Sequence, residues 1–363
     1  MRLDWQDVKD FENTHGITLD MENSKMMTSR ERTGRAIHFQ GPDRVPLWMA
    51  DKNFDMTNDL YRTPSKTFKP LPDEKLRELV PDFDGKLTQT EWGNITGKLN
   101  TTLSTSETVR SGFQEWEEFY SDYSFPDIDE PSRYELAKSN VSSRPEEKYE
   151  LAWFGSGYFG TLYGLRKMED LLVDLGMYQK ELEDFCDRLE PVFLRSLEQW
   201  AAVGVHGVLF GEDLGLQDRL IMNPETWRTI FKPRYRRFIA KAHSLKLDVL
   251  MHSCGYIREI IPDLVEIGLD VLQFDQICIY DLDDLAKNFA GKIAFFCPVD
   301  IQSVMPTGDR ERIRAEAQRM IEKLGRFNGG FLAKDYPTWK DVGVRPEWAE
   351  WMREDFLEFG NYK

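Results

Sequence analysis

The 363-residue sequence predicts a closed barrel of eight parallel strands ringed by helices, a (β/α)8 TIM barrel. Three observations carry the prediction. From about residue 149 onward, short apolar runs alternate with helical stretches at a regular interval, and such alternation argues for a parallel sheet. A first strand near Leu47 and one more in the hairpin region that follows bring the count to eight, the number that closes a barrel. No Gly-x-Gly-x-x-Gly follows the first strand, so a doubly wound open sheet would lack its dinucleotide-binding fingerprint there.

Residues 1–26 read as an added helical segment, with Trp5, Val8, Phe11 and His15 at near-helical spacing. Thr28-Ser29-Arg30-Glu31 starts the next helix, with Thr28 or Ser29 as cap, and Gly41-Pro42-Asp43 breaks it. Arg44–Ala50 is the first strand. Residues 51–150 read as a polar, aromatic-studded insertion that covers the barrel mouth, with a hairpin whose turn is Asp84-Gly85 and which returns at Trp92. The remaining strands end at Phe154, Phe210, Cys254, Asp275, Cys297 and Asp335. Helices follow them at about 161–197, 224–245, 257–267, 282–289, 310–324 and 346–359. The whole chain is read as a single barrel domain.

Hydrophobic residues make up 41% of the chain and aromatics 13%, enough for a substantial core. The net charge of -16 argues against nucleic acid or an anionic membrane as a partner. The basic run Lys232 to Arg237 is simplest as a solvated helix face. Four cysteines make no disulfide framework in a chain of this length, and no apolar run approaches a membrane span. The first residues lack the apolar stretch of a signal peptide. A cytoplasmic protein with reduced thiols is expected.

In a barrel of this kind, chemistry belongs to the C-terminal strand ends. Those ends carry Glu212, Asp213, His252, Cys254, Asp275, Cys297 and Asp335. His252 and Cys254 stand two residues apart on one strand and so share a face. Imidazole and thiolate side by side suit zinc, against the plainer reading of a hydrogen-bonded histidine beside an inert thiol. Alternation along Ile293-Phe295-Cys297 aims Cys297 inward, which makes it the expected third ligand, with Asp335 or Glu212 as alternatives. Three ligands leave a position open for substrate, as a catalytic zinc requires. Glu212 and Asp213 are the candidate acid/base groups or ligand-orienting partners, unless they cap a helix or pair with Arg219 or Arg228. Trp153, Phe154 and Tyr158 at a strand exit would wall a ring-shaped substrate, with Gln302 added from a later loop.

From Met27 onward the chain resembles the uroporphyrinogen decarboxylase superfamily. The resemblance rests on Thr28–Arg32 with Pro42–Pro46, Gly211–Gln217, Phe231–Tyr235, His252–Gly255 with Ile261–Leu264, and Pro298–Gln302. It implies a (β/α)8 barrel and one of two chemistries. The decarboxylating branch works without a cofactor and needs an arginine-rich signature after the first strand. Here that place reads Trp48-Met49-Ala50-Asp51-Lys52-Asn53-Phe54-Asp55, without arginine. The other branch moves methyl groups to or from a separate corrinoid protein and binds zinc through His-x-Cys plus a later cysteine. His252 and Cys254 match the first part, whereas the last strand offers Lys334-Asp335 in place of the third ligand. The resemblance therefore implies a zinc-dependent methyltransferase acting on a small methylated substrate, such as a methoxylated aromatic, with a cobalamin-type corrinoid on a partner protein. A metal-free decarboxylase and a non-catalytic tetrapyrrole- or corrinoid-binding protein are the alternatives. A homodimer is compatible with the sequence, which leaves the oligomeric state open.

Overall fold

The computed structural model describes residues 27–49, 54–57, 59–100, 106–144, 148–177 and 180–362. The expected N-terminal helical segment lies outside the described residues. The chain opens with α1 (Ser29–Ile37), capped by Thr28, whose Oγ1 accepts the Glu31 amide at 3.1 Å. Strand β1 (Leu47–Trp48) follows, then β2 (Leu60–Tyr61). Next come α2 (Asp73–Leu79), β3 (Gly85–Gln89), β4 (Ile95–Leu99), β5 (Glu107–Arg110), α3 (Trp116–Ser121) and α4 (Glu135–Ser143). Strand β6 (Leu151–Ser156) leads into α5 (Tyr158–Leu165), α6 (Met168–Met177) and α7 (Lys180–Val203). After β7 (Gly207–Gly211) run α8 (Pro224–Ile230) and α9 (Lys232–Ser244), and after β8 (Asp248–His252) runs α10 (Ile261–Glu266). The chain closes with β9 (Val271–Gln273), α11 (Leu282–Phe289), β10 (Ala294–Cys297), α12 (Arg310–Leu324), β11 (Phe331–Lys334) and α13 (Pro346–Phe359).

Eight parallel strands pair in the order β1-β11-β10-β9-β8-β7-β6-β2, which is the sequential order of a (β/α)8 barrel. Asp55 bridges the seam between the first and second strands. Asp55, 1% exposed, accepts from Ser29 Oγ, Arg32 Nη1, Arg44 Nη1 and the Leu47 amide at 2.6–3.0 Å. Its own amide donates to the Leu47 carbonyl at 2.9 Å, and the Tyr149 amide donates to the Asp55 carbonyl at 2.9 Å. The Ser29, Arg32 and Arg44 positions of the N-terminal motif thus tie the barrel's ends together.

The second barrel strand is Leu60–Tyr61, not part of the hairpin. The hairpin belongs to a separate antiparallel sheet, β3-β4-β5. Its turn is Thr90–Asn94 rather than Asp84-Gly85, with Gln89 opposite Ile95 and Gly93 at φ +93°. Gly85 is required for another reason. A Cβ there would lie 2.2 Å from the Lys98 carbonyl oxygen, so the glycine serves strand contact instead of a turn.

Alternate residues of each barrel strand divide between two cores. Leu250, Val271, Ala294, Phe296 and Leu332 fill the barrel interior together with Met56 and Leu151. Val249, Met251, Leu272, Phe295, Cys297 and Ala333 face the helices. The basic run on α9 is spent on ion pairs. Lys232 meets Asp263 and Glu266, Arg234 meets Asp187, and Arg237 meets Glu190.

Candidate functional site

The loops that leave β7 and β8 are knitted together at the barrel mouth. The Glu212 amide donates to the His252 carbonyl at 3.0 Å and the Gly215 amide to the Cys254 carbonyl at 3.1 Å. The Leu214 amide donates to Ser253 Oγ at 3.0 Å. Gly255 sits at φ +75°, and a Cβ on it would lie 2.0 Å from the Gly215 carbonyl oxygen. Only glycine allows this approach of two backbones. Its result is that Asp213 stands directly over His252 and Cys254.

Asp213 adopts φ +52°, a left-handed conformation that aspartate tolerates better than most residues. Its Oδ1 accepts the Cys254 amide at 3.0 Å and lies 3.1 Å from His252 Nε2. Cys254 Sγ lies 3.4 Å from the same nitrogen. Asp213, His252 and Cys254 each offer one donor atom, and these atoms lie within 4.8 Å of one another. One oxygen, one nitrogen and one sulfur donor at this spacing fit zinc, and three protein ligands leave room for a substrate. Burial alone would lower the His252 imidazole, but the hydrogen bonds to Asp213 and Cys254 and the field of Asp275 push it up to about 10. Burial alone would raise Asp213, and the bond from His252 holds it below the usual carboxylate range.

Behind the ring, His252 Nδ1 meets Gln273 Oε1. Gln273 Nε2 donates to Asp275 Oδ1 at 2.9 Å, and Lys334 Nζ donates to the same oxygen at 2.7 Å. The Lys334 ammonium lies 5.6 Å from the Trp48 ring centre and 5.5 Å from that of Tyr336, within cation–π range. These groups border a cavity of about 500 Å³ whose aromatic walls are Trp48, Trp153, Phe296 and Tyr336.

Of the expected substrate-binding residues, Trp153 lines this cavity and is 46% exposed. Phe154 instead packs on Phe193 and Phe238 in the helix layer, and Tyr158 is buried against Phe193 and Tyr235. Gln302 is exposed and bonded to Gln217 at 3.4 Å, away from the cavity. Glu212 is 1% exposed and turned to α5, where its oxygens accept the Phe159 amide at 3.3 Å and the Gly160 amide at 2.6 Å. Burial pushes its carboxyl up to about 8.

Cys297 and Asp335 do not join the donor group. His252, Gln273 and Phe296 are register partners across β8, β9 and β10, and parallel register partners share a face. That row points inward. Cys297, one residue on, therefore points into the helix layer, where burial pushes its thiol up to about 12. Asp335 is likewise one residue past the inward Lys334, and its Oδ1 accepts from the Tyr336 amide at 2.9 Å and from Trp339 Nε1. β10 is apolar throughout, so its alternation does not say which half faces in. Lys334 carried the missed signal, because an ammonium at the end of a buried apolar strand requires a partner such as Asp275 inside.

A second donor group, His38, Asp248 and Asp270, lies at the opposite end of the barrel, where β8 and β9 begin. There His38 Nε2 lies 2.9 Å from Asp248, and Asp270 Oδ2 lies 2.8 Å from His243 and accepts the Val249 amide at 2.7 Å. These contacts stitch the barrel floor to the helices.

The arrangement defines a (β/α)8-barrel protein with a three-donor group whose His252 also lines an aromatic cavity. Residues 152–333, which are 182 of the 363, match the uroporphyrinogen decarboxylase (URO-D) family, and the chain belongs to that family. It is similar to a methylated-thiol–coenzyme M methyltransferase of Methanosarcina mazei, 26% identical over 121 residues. That match spans 33% of this chain and 31% of the relative, about a third of its length. A solved methyltransferase structure from Methanosarcina mazei superposes with a TM-score of 0.65 at 15% identity, covering 92% of this chain and 99% of the other. At that identity the likeness concerns the fold. No helix among the described residues is long and apolar enough to cross a membrane.

Proposed function

We propose that this chain is a zinc-dependent methyltransferase that moves a methyl group between a small methylated substrate and a corrinoid carried by a partner protein. The observation that carries the reading is the donor group of Asp213, His252 and Cys254, whose His252 also lines an aromatic cavity, at the end of the barrel where chemistry is expected. Those three residues would hold the metal, with Asp213 taking the place first assigned to Cys297. Zinc bound there supplies Lewis acidity toward the heteroatom that bears the methyl group.

The chain's own residues do the rest. Trp48, Trp153, Phe296 and Tyr336 shape a slot for a flat substrate, which favours a methoxylated aromatic donor. Lys334 and Asp275 fix the polar end of that slot. Glu212 holds the start of α5 through the Phe159 and Gly160 amides and so supports the Asp213 loop from behind. The mouth must stay accessible to the corrinoid partner. Decarboxylation of a polycarboxylate is less well supported, because among the cavity-lining residues Lys334 is the sole lysine or arginine and it already meets Asp275.

The test is zinc content by elemental mass spectrometry together with methyl transfer from methoxylated aromatics to free cob(I)alamin, followed by absorbance. About one zinc per chain and methylcobalamin formation, both lost in Asp213→Ala and His252→Ala, are expected. A metal-free wild type that releases carbon dioxide from porphyrinogens would replace this reading with the decarboxylase.

A further inference from the structure

The side chains behind His252 form a chain with a single allowed direction. An ammonium has donors only, so the Asp275 Oδ1 that lies 2.7 Å from Lys334 Nζ is an acceptor. Gln273 reaches that same accepting oxygen at 2.9 Å, so it must present its amide nitrogen there. Its carbonyl Oε1 is then the atom that faces His252 Nδ1. A carbonyl oxygen only accepts, so Nδ1 carries the hydrogen. The reversed amide would set oxygen against carboxylate at one end. Each link fixes the next.

The consequence falls on the other ring nitrogen. Nε2 is the atom 3.1 Å from Asp213 Oδ1 and 3.4 Å from Cys254 Sγ. We infer that Gln273, set by the Lys334–Asp275 pair, is a positioning residue that grips the His252 ring at Nδ1 and presents Nε2 to a divalent cation. The inference rests on the zinc reading above. Gln273 and His252 are register partners on adjacent parallel strands, so the grip is lateral and leaves the ring little freedom. It also gives a reason for a lysine at the end of an otherwise apolar last strand. Lys334 is one terminus of the chain, and its side chain is 8% exposed beside an Asp275 that is 9% exposed.

The test compares wild type with Gln273→Leu and Gln273→Glu. Zinc affinity is read by chelator competition, and the His252 Nδ1–H proton by NMR of histidine-labelled protein. Gln273→Leu is expected to bind zinc about 10–100-fold more weakly, the range for partners that orient a metal ligand. Gln273→Glu sets two carboxylates together and is expected to weaken zinc binding as well. A purely structural Gln273 would move the melting temperature and leave zinc affinity alone, which overturns the inference. If wild type binds no zinc, the metal reading fails and the NMR decides the positioning role. A solvent-protected Nδ1–H that disappears in Gln273→Leu sustains the grip, and its absence from wild type refutes it.

Discussion

Replacing Asp213 by glycine should remove tight zinc binding while nearly sparing the fold. Asp213 holds φ +52°, so glycine relieves about 1 kcal/mol of left-handed strain. Against that stand the lost hydrogen bond from the Cys254 amide, about 1 kcal/mol, and glycine's greater freedom when unfolded, about 0.5–1 kcal/mol. The contact with His252 adds under about 1 kcal/mol, because the Asp213 side chain is 45% exposed. The net cost is about 0.5–2 kcal/mol, a shift of a few degrees at most in melting temperature. Zinc affinity should fall far more. Removing an outer partner of a ligand costs about 10–100-fold, so removing a direct ligand should exceed about 100-fold. The assay is competition against a chromophoric chelator, run beside thermal unfolding of the metal-free protein. Wild-type zinc affinity in Asp213→Gly would refute the ligand assignment. A collapse of the metal-free melting temperature by tens of degrees would refute the energetic argument instead.

Cys297→Ala should leave zinc affinity unchanged and cost about 1 kcal/mol of stability from a small packing loss in the helix layer; parallel loss of zinc would return Cys297 to the site. Gly255→Ala should destabilise by about 3 kcal/mol in urea unfolding, because it combines a φ of +75° with a Cβ 2.0 Å from the Gly215 carbonyl oxygen. A neutral result would mean that the two loops can part freely. His206 provides a pH test. Burial pushes its imidazole down to about 4, and its Nδ1 accepts the Glu150 amide at 2.8 Å. The unfolded chain therefore binds more protons than the folded one between about pH 6.5 and 4, and stability falls as pH drops through that window. The ceiling is about 3 kcal/mol, reduced by the ring's partial exposure. His206→Gln keeps an acceptor without titrating, so the difference between variant and wild type should shrink toward acid pH. A difference constant from pH 7 to 4.5 would exclude the effect.

Much of the architecture was legible because local patterns that repeat are hard to mistake. The helices at 282–289, 310–324 and 346–359 begin and end where capping residues and apolar spacing place them. The strand ending in His252 was legible for the same reason. The hairpin turn was misplaced because Asp-Gly is a strong turn signal, and here Gly85 answers a crowding by Lys98 that only the paired strands create. The second barrel strand, two residues long, has no periodicity to read.

The sequence by itself determined the barrel, the seven strand-end groups from which a site could be drawn, and the pairing of His252 with Cys254 on one face. Tertiary structure alone decided which of the remaining groups join them. In β10 and β11 every residue is buried, so hydrophobicity carries no phase, and a shift of one residue exchanges Cys297 for Phe296 and Asp335 for Lys334. Asp213 enters the donor group through the contact of Gly215 with Gly255, two loops forty residues apart whose approach no local pattern encodes.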